Sequence, residues 1–133
     1  MLLKNKVALI TGAGSGLGRC TAQLFAREGA TLVLADINRK GGEKTLELVR
    51  QAGGEVVFVE ANVADATDAQ AMVELAKDTW GALHIAVNNA AKATPTIAVT
   101  DIEEADWDAC IDVTLKGVWL GMKYQLPLIE ASG

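Results

Sequence analysis

Short apolar runs alternate along the chain with longer amphipathic segments. The apolar runs are rich in Val, Leu, Ile and Ala and predict four buried strands, at residues 6–11, 31–36, 55–63 and 83–90. The intervening segments repeat apolar residues at helical spacing and predict helices at residues 17–28, 40–52 and 67–80. Because strands and helices alternate, the pattern predicts an α/β fold with a doubly wound parallel sheet and four β-α units.

The first and third predicted helices have the more specific patterns. The first is expected to bury one stripe, formed by Leu17, Cys20, Thr21, Leu24 and Phe25. The third is expected to bury Ala69, Met72, Val73, Ala76 and Trp80. Its N-cap is either Asp65 or Thr67, and Thr67 with Gln70 would form a capping box.

A polar loop at residues 91–100 precedes a predicted long helix at residues 103–130. Apolar residues recur along this helix at helical spacing, at Ile111, Leu115, Val118, Met122 and Leu126. Pro127 is expected to kink or end it. Trp107 and Trp119 on the same segment are interpreted as packing residues or subunit contacts.

Composition narrows the class of protein. The 133 residues carry a net charge of −5 and no basic cluster, which argues against nucleic acid or an anionic membrane as a partner. No apolar run approaches the ~18 residues of a membrane span, and the first residues lack a signal-peptide core. Cys20 and Cys110 fit no metal-ligand spacing and indicate two small buried residues in a reducing compartment. We therefore expect a cytoplasmic protein of one domain, without a metal.

Four glycines follow the first predicted strand, in the segment ITGAGSGLG. At such a strand-to-helix junction a pyrophosphate can bind the helix N-terminus, and glycine lets the backbone approach it. The spacing does not fit GxGxxG, because residue 17 is Leu, or a P-loop, because no Lys-Ser or Lys-Thr follows. It fits TGxxxGxG, and Asp36 follows Gly18 by 18 residues, near the about 20 of the dinucleotide fingerprint. A tight turn without a ligand is the alternative.

Together with two further motifs, this loop resembles the N-terminal half of a short-chain dehydrogenase/reductase. NNAA at residues 88–91 is similar to the NNAG motif of that family, and WDACIDVTLKGVWLGMKYQLPLI resembles the long helix that follows it. The resemblance implies a Rossmann-like sheet with strand order 3-2-1-4-5-6-7. It also implies that residues 1–133 are the NAD-binding, N-terminal portion of a single larger domain whose C-terminal strands are missing here.

The resemblance assigns a cofactor site residue by residue. The loop residues expected to line the pyrophosphate and nicotinamide side are Gly12, Ser15, Gly16, Leu17 and Gly18. Asp36 should accept hydrogen bonds from the adenosine ribose, with Ile37 beside the adenine. The adenine pocket is expected at Asn62 and Val63, where the family usually has Asp-Val, and the central part of the cofactor at Asn89, Ala90 and Ala91.

The charge of Asp36 favours NAD over NADP as the cofactor. A carboxylate would repel the 2′-phosphate of NADP, so NAD is favoured. Arg39 lies close by in sequence and is interpreted as a solvated residue at the start of a helix, although it could in principle favour a phosphate. Ala91 replaces the family glycine. Whether the cofactor can approach the backbone as closely at this position is therefore an open question.

The resemblance implies that the catalytic Ser, Tyr and Lys of the family lie beyond these 133 residues. Tyr124 is the only tyrosine, and Lys123 is adjacent to it instead of four residues on, so Tyr124 is interpreted as an interface or surface residue. Thr114 takes the position of a family Asn in the proton relay, and its hydroxyl could bond locally instead. His84 is expected to be a surface or strand-end residue.

The resemblance therefore implies an NAD-dependent oxidoreductase that transfers hydride between nicotinamide and a small alcohol or ketone. This chain would hold the cofactor half, with the small-molecule substrate bound by the full-length parent. The parent is expected to be a dimer or tetramer through the long helix at residues 103–130. Whether the chain is itself an enzyme stays open, and a non-catalytic dinucleotide-binding or regulatory protein, or a degenerate remnant, is the alternative. Isolated, the chain is expected to be marginally stable or to self-associate, because its fourth strand would be an exposed apolar edge.

Overall fold

Four parallel strands form the central sheet of the computed structural model, which describes residues 1–133. The strands are β1 (Val7–Thr11), β2 (Thr31–Asp36), β3 (Val56–Glu60) and β4 (Ile85–Val87), in the order β3-β2-β1-β4. The helices between them are α1 (Gly16–Arg27), α2 (Arg39–Gln51) and α3 (Ala66–Trp80). After β4 come a 3₁₀ turn (Val99–Asp101), α4 (Glu104–Ile111), a π-helical segment (Asp112–Lys116) and α5 (Gly117–Ser132). The predicted α/β fold is confirmed, and so is the 3-2-1-4 part of the predicted strand order.

The sheet is covered on both faces, as a doubly wound fold requires. Alternate residues of β1 and β2 point to opposite sides. Val7 and Leu9 belong to a core shared with α3 and α5, whereas Ala8 and Ile10 belong to a core shared with α1 and α2. All five residues of β1 are buried, which explains why the strands form continuous apolar runs.

The fourth strand is shorter than predicted. Only Ile85–Val87 pairs with β1, and the prediction of a strand over residues 83–90 was wrong at both ends. Residues 88–90 leave the sheet to make side-chain contacts with β1 and α5. His84 lies at the strand end, as predicted, and its Nδ1 accepts a hydrogen bond of 3.0 Å from the Val7 N–H. The imidazole therefore satisfies the first donor of β1.

The third helix buries the predicted face, with Ala69, Met72, Val73 and Ala76 in the core and Trp80 partly buried against it. Its N-cap is Asp65, whose side chain accepts a hydrogen bond from the Asp68 N–H. The capping box of Thr67 and Gln70 does not form, because the helix has already begun at Ala66. Gln70 bonds Glu74 one turn along instead.

The predicted buried stripe of α1 was wrong for Leu17, Cys20 and Leu24, whereas Phe25 is partly buried against the core. Leu17 and Leu24 are 78% and 48% exposed, and Cys20 is an exposed free thiol. The helix packs on the sheet with Gly18 and Ala22, whose small side chains allow a close approach. The positions of the large apolar residues did not indicate the buried face of α1, because the helix packs closely on the sheet and only small residues fit there.

The predicted long helix is interrupted. The π-helical segment adds residues between α4 and α5, and Pro127 lies within α5 without ending it. The buried face of α5 is formed by Gly117, Leu120, Gly121 and Gln125. Leu115, Met122 and Leu126 of the predicted stripe are instead 65%, 41% and 49% exposed. The stripe prediction assumed a continuous α-helix and was wrong for that reason.

The tyrosine and the two tryptophans of this region differ in burial. Tyr124 is partly buried against the core and is therefore not a surface residue, and its interpretation as an interface residue stays a prediction. Trp107 and Trp119 are 56% and 53% exposed and do not pack in the core. The Lys123 ammonium lies 5.5 Å from the centre of the Trp119 ring. None of the helices is both long enough and apolar enough to span a bilayer.

Candidate functional site

A cleft of about 720 Å³ opens at the carboxyl ends of all four strands. Its walls come from the loop after β1, the end of β2, the loop after β3, the NNAA segment after β4, and the junction of α4 with the π-helical segment. This is the edge at which open α/β sheets bind ligands. The sequence-predicted cofactor residues that line it are Gly12, Ser15, Gly16, Leu17, Asp36, Ile37, Asn62, Val63, Asn89, Ala90 and Ala91.

Gly18 is the one predicted cofactor-loop residue that does not line the cleft. It is buried in the first turn of α1, where a Cβ would overlap the carbonyl oxygen of Gly12. Gly16 has the opposite reason to be glycine: its φ is +50° and no atom would crowd a Cβ. One glycine therefore permits close packing beneath the loop, and the other permits the left-handed turn at its tip.

The N-terminus of α1 faces the cleft without a side-chain cap. Ser15 is the N-cap residue in extended conformation, and its hydroxyl makes no hydrogen bond to the first turn. The first N–H groups of a helix lack intrahelical partners, and the helix dipole makes this end positive. An anionic group in the cleft can therefore satisfy these donors.

Asp36 is held in place by two backbone donors. Its Oδ2 accepts a hydrogen bond from the Gly14 N–H at 2.8 Å, and its Oδ1 accepts one from the Asn38 N–H at 2.8 Å. A carboxylate has about four acceptor sites, so it can still accept from hydroxyl groups in the cleft. The carboxylate thus links the glycine loop to the start of α2 and stays oriented before any ligand binds.

A second link between the loop and α2 was missed at the sequence level. Thr45 is fully buried, and its hydroxyl donates to the Ala13 carbonyl at 2.8 Å. Arg19 Nε donates to the Thr45 hydroxyl at 2.9 Å, and its Nη2 bonds the carbonyl oxygens of Gly14 and Gly41. The position of Arg19 directly after the TGxxxGxG motif was the available signal. Nothing in the amphipathic pattern of α2 indicated Thr45.

The NNAA segment is bonded to the end of β1. Asn89 Nδ2 donates to the carbonyls of Thr11 and Gly12 at 3.1 and 3.4 Å, and the Ala90 N–H donates to the Thr11 hydroxyl at 3.0 Å. Ala91 has no positive φ, so alanine at the family's glycine position is unstrained. The segment therefore forms a fixed wall of the cleft.

The other asparagine of this motif faces away from the cleft. Asn88 and Gln125 exchange two hydrogen bonds, of 2.9 Å from Asn88 Nδ2 and 2.8 Å from Gln125 Nε2. Gln125 is only 1% exposed, so this amide pair ties the end of β4 to α5 inside the protein. Sequence analysis did not identify Gln125, because a glutamine on a helix normally faces water.

Thr114 lies in the π-helical segment and does not line the cleft. Its hydroxyl accepts from the Lys92 N–H at 3.0 Å and donates to the Lys92 carbonyl at 2.9 Å. The predicted local hydrogen bond was wrong, because the partner is 22 residues away in sequence. Thr114 therefore holds the loop that follows NNAA, and Lys92 on that loop lines the cleft.

Asn62 begins the loop after β3. Its Oδ1 accepts from the Ala64 N–H at 3.0 Å, and its own N–H donates to Asp68 Oδ2 at 2.8 Å. The amide NH₂ of Asn62 is left as a donor at the cleft. Further lining residues not predicted from the sequence are Ala61, Ala64, Lys92, Ala109, Asp112 and Val113. No cluster of three or more His, Cys, Asp or Glu side chains is arranged to hold a metal ion.

Comparison with known proteins identifies the family. A family model described as enoyl-(acyl carrier protein) reductase matches residues 12–133. The chain belongs to the short-chain dehydrogenase/reductase family. Membership confirms the resemblance drawn from the glycine loop, NNAA and the helix after it.

Several members of the short-chain dehydrogenase/reductase family are similar along almost the whole chain. Cyclohexanol dehydrogenase of Acinetobacter sp. (strain SE19) is 42% identical over 129 residues, which are 97% of this chain and 51% of that protein. The 3-oxoacyl-[acyl-carrier-protein] reductase FabG of Thermotoga maritima is 39% identical, over 90% of this chain and 48% of that protein. The chain thus spans about half the length of the curated relatives it matches.

A solved structure shows the same fold in a relative. A short-chain dehydrogenase/reductase from Burkholderia phymatum, solved in complex with NAD, aligns with a TM-score of 0.92 and 33% identity. The alignment covers 97% of this chain and 46% of that one. The Rossmann-like architecture of this chain is therefore shared with a protein that binds NAD.

Proposed function

We propose that the cleft binds NAD and that the protein is an oxidoreductase of the short-chain dehydrogenase/reductase family. The observation that carries the proposal is the cleft itself, where an uncapped helix N-terminus and the oriented carboxylate of Asp36 face the same space. The solved relative in complex with NAD supports the same cofactor. When bound, NAD supplies a hydride acceptor or donor.

The residues of this chain have distinct proposed roles in binding. The N–H groups after Ser15, together with Gly12, Gly16 and Leu17, hold the pyrophosphate. Asp36 accepts hydrogen bonds from the ribose, and its charge excludes a 2′-phosphate. Ile37, Asn62 and Val63 flank the adenine. The central part of the cofactor runs along Asn89, Ala90 and Ala91.

The proposal extends to the domain organisation and to the reaction. Residues 1–133 form the N-terminal portion of one larger NAD-binding domain, in keeping with the half-length coverage of the relatives. The reaction is hydride transfer between nicotinamide and a small alcohol or ketone, and a cytoplasmic location stays a prediction from composition. A non-catalytic dinucleotide-binding protein is the alternative, and a Ser with a Tyr-x-x-x-Lys elsewhere in the full-length protein would distinguish the two.

The cofactor assignment is tested by calorimetry on the full-length protein with NAD⁺ and NADP⁺. The wild type should bind NAD⁺ more tightly. Asp36→Asn should weaken NAD⁺ binding by about 10-fold to 150-fold, because hydrogen bonds to a charged acceptor contribute about 1.5–3 kcal/mol. Asp78→Asn removes the same charge from an exposed position of α3 and should leave both affinities unchanged. Tighter binding of NADP⁺ by the wild type would refute the role of Asp36.

The reaction is tested by following NADH formation with small alcohols. Cyclohexanol is the first substrate to try, because a relative 42% identical is named for it, and a 3-oxoacyl thioester with NADH is the second. Turnover of a small alcohol is the expected result. Tight NAD binding without turnover of any alcohol or ketone would favour the non-catalytic alternative.

The outer face of α4 and α5 supports a proposal about assembly. Exposed apolar residues follow one another along α4, the π-helical segment and α5, and such patches commonly mark interfaces. They are Trp107, Leu115, Trp119, Met122 and Leu126. We infer that a second copy of the protein covers them. Trp119→Glu should shift the full-length protein to a smaller species in analytical ultracentrifugation. Leu2→Glu, at an exposed residue whose N–H bonds Glu28 at the end of α1, should not. A monomeric wild type would refute the inference.

A further inference from the structure

The end of β3 brings a second acidic residue beside Asp36. In the parallel register of β2 and β3, Glu60 is the direct partner of Asp36. The two carboxylates therefore lie at the same edge of the sheet, where the adenosine end of the cleft is proposed. Both lie on adjacent strands at the point where the strands end.

One arginine joins this pair. Arg39 is the first residue of α2, three positions after Asp36, and its Nε donates to Glu60 Oε2 at 2.8 Å. A weaker ion pair of 3.5 Å joins its Nη1 to Glu43 Oε1. The guanidinium is therefore bonded along the edge of β3 and flanked by two carboxylates.

The position of this arginine affects which dinucleotide the cleft can accept. A guanidinium binds phosphate through paired hydrogen bonds, and a free one near the ribose would attract a 2′-phosphate. The bond to Glu60 occupies Nε and offsets the charge. We propose that Glu60 is a positioning residue for Arg39 and a second determinant, beyond Asp36, of the preference for NAD over NADP. This inference rests on the proposed NAD site.

The ion pair is exposed. We therefore expect its loss to change the affinity for the dinucleotide more than the stability of the fold. The side chains of Arg39 and Glu60 are 61% and 46% exposed. Surface pairs of this kind contribute little to stability and are screened by salt. Glu60→Gln keeps the shape of the side chain and removes only its charge, so the variant is expected to fold.

The test compares dissociation constants of NADP⁺ and NAD⁺ for the full-length protein at low ionic strength. Glu60→Gln should shift the ratio towards NADP⁺ by about threefold to fivefold, the fold-change that corresponds to a surface ion pair of about 0.7–1 kcal/mol. The same shift is expected in an Asp36→Asn background, where NADP⁺ binding is easier to measure. The matched control is Glu47→Gln, which removes a charge from the solvent face of α2 and should leave the ratio unchanged.

A double-mutant cycle separates the role of Arg39 from a general effect of charge. In an Arg39→Met background, Glu60→Gln should no longer change the ratio. A shift that persists without Arg39, or an equal shift in Glu47→Gln, would overturn the inference while the NAD site stands. Failure of the wild type to bind either dinucleotide would overturn the proposed function, and this inference with it.

Discussion

Replacing Thr45 with valine tests whether the glycine loop depends on α2. The two side chains have nearly the same shape, so the change removes a hydroxyl without opening a cavity. The hydroxyl donates to the Ala13 carbonyl and accepts from Arg19 Nε, and Thr45 and Ala13 are both fully buried. The variant therefore leaves a buried carbonyl without its side-chain partner and a charged donor with one bond fewer.

The expected loss follows from these two bonds. A hydrogen bond contributes about 0.5–1.5 kcal/mol net, and leaving a buried group unsatisfied costs about 1–3 kcal/mol. Arg19 retains its bonds to two carbonyl oxygens, which limits the penalty on that side. We expect Thr45→Val to lower the free energy of unfolding by about 2–3 kcal/mol. Affinity for NAD should also fall, because Ala13 precedes the loop tip.

The measurement is urea unfolding of the full-length protein at one fixed concentration, since assembly also affects apparent stability. Thr79→Val on the exposed side of α3 is the control for the change of residue type, and we expect it to change stability by less than about 0.5 kcal/mol. Arg19→Met combined with Thr45→Val should cost less than the sum of the single changes. A loss below about 0.5 kcal/mol for Thr45→Val would refute the argument.

Three further predictions concern neighbouring contacts. Gln125→Leu should destabilise the full-length protein by about 1–3 kcal/mol in urea unfolding, because it leaves the Asn88 amide without its partner. Adding Asn88→Leu should recover part of the loss, because it removes that unpaired amide. Gly18→Ala should cost about 1–3 kcal/mol by the same assay, since its Cβ would overlap the Gly12 carbonyl. Cys20→Ala, at an exposed position of the same helix, serves as the control. Thr114→Val should speed hydrogen exchange at the Lys92 amide, and Thr114→Ser should restore protection; equal exchange in all three proteins would contradict the proposed contact.

Sequence patterns predicted the features that depend on local order along the chain. The strand-glycine-helix junction and the acid at the end of β2 were both visible, because a parallel sheet brings the carboxyl ends of its strands to one edge. The third helix was predicted well, since its buried face follows the helical period without interruption. These signals were sufficient for the fold, the family and the position of the cleft.

Features that depend on contacts distant in sequence were not predicted. The buried face of α1 is made of small residues, so hydrophobicity pointed to Leu17 and Leu24 on the exposed side. Thr45 and Gln125 have polar side chains whose partners lie on other elements, and no spacing rule identifies such pairs. Gly18 was assigned to the cofactor from its place in a motif, whereas the structure gives it a packing role.

The π-helical segment decides which side of α5 becomes interior. Each residue of an α-helix rotates the chain by about 100°, so losing one residue from Asp112–Lys116 would turn everything after it by about that angle. The inward positions would then pass from Gly117, Leu120, Gly121 and Gln125 to Val118, Gly121, Met122 and Leu126. Both sets are mostly apolar or small. Side-chain composition alone therefore does not determine how α5 is rotated about its own axis. The π-helical segment therefore determines which of the two sets faces the core, and it leaves the apolar side chains of Met122 and Leu126 exposed to solvent.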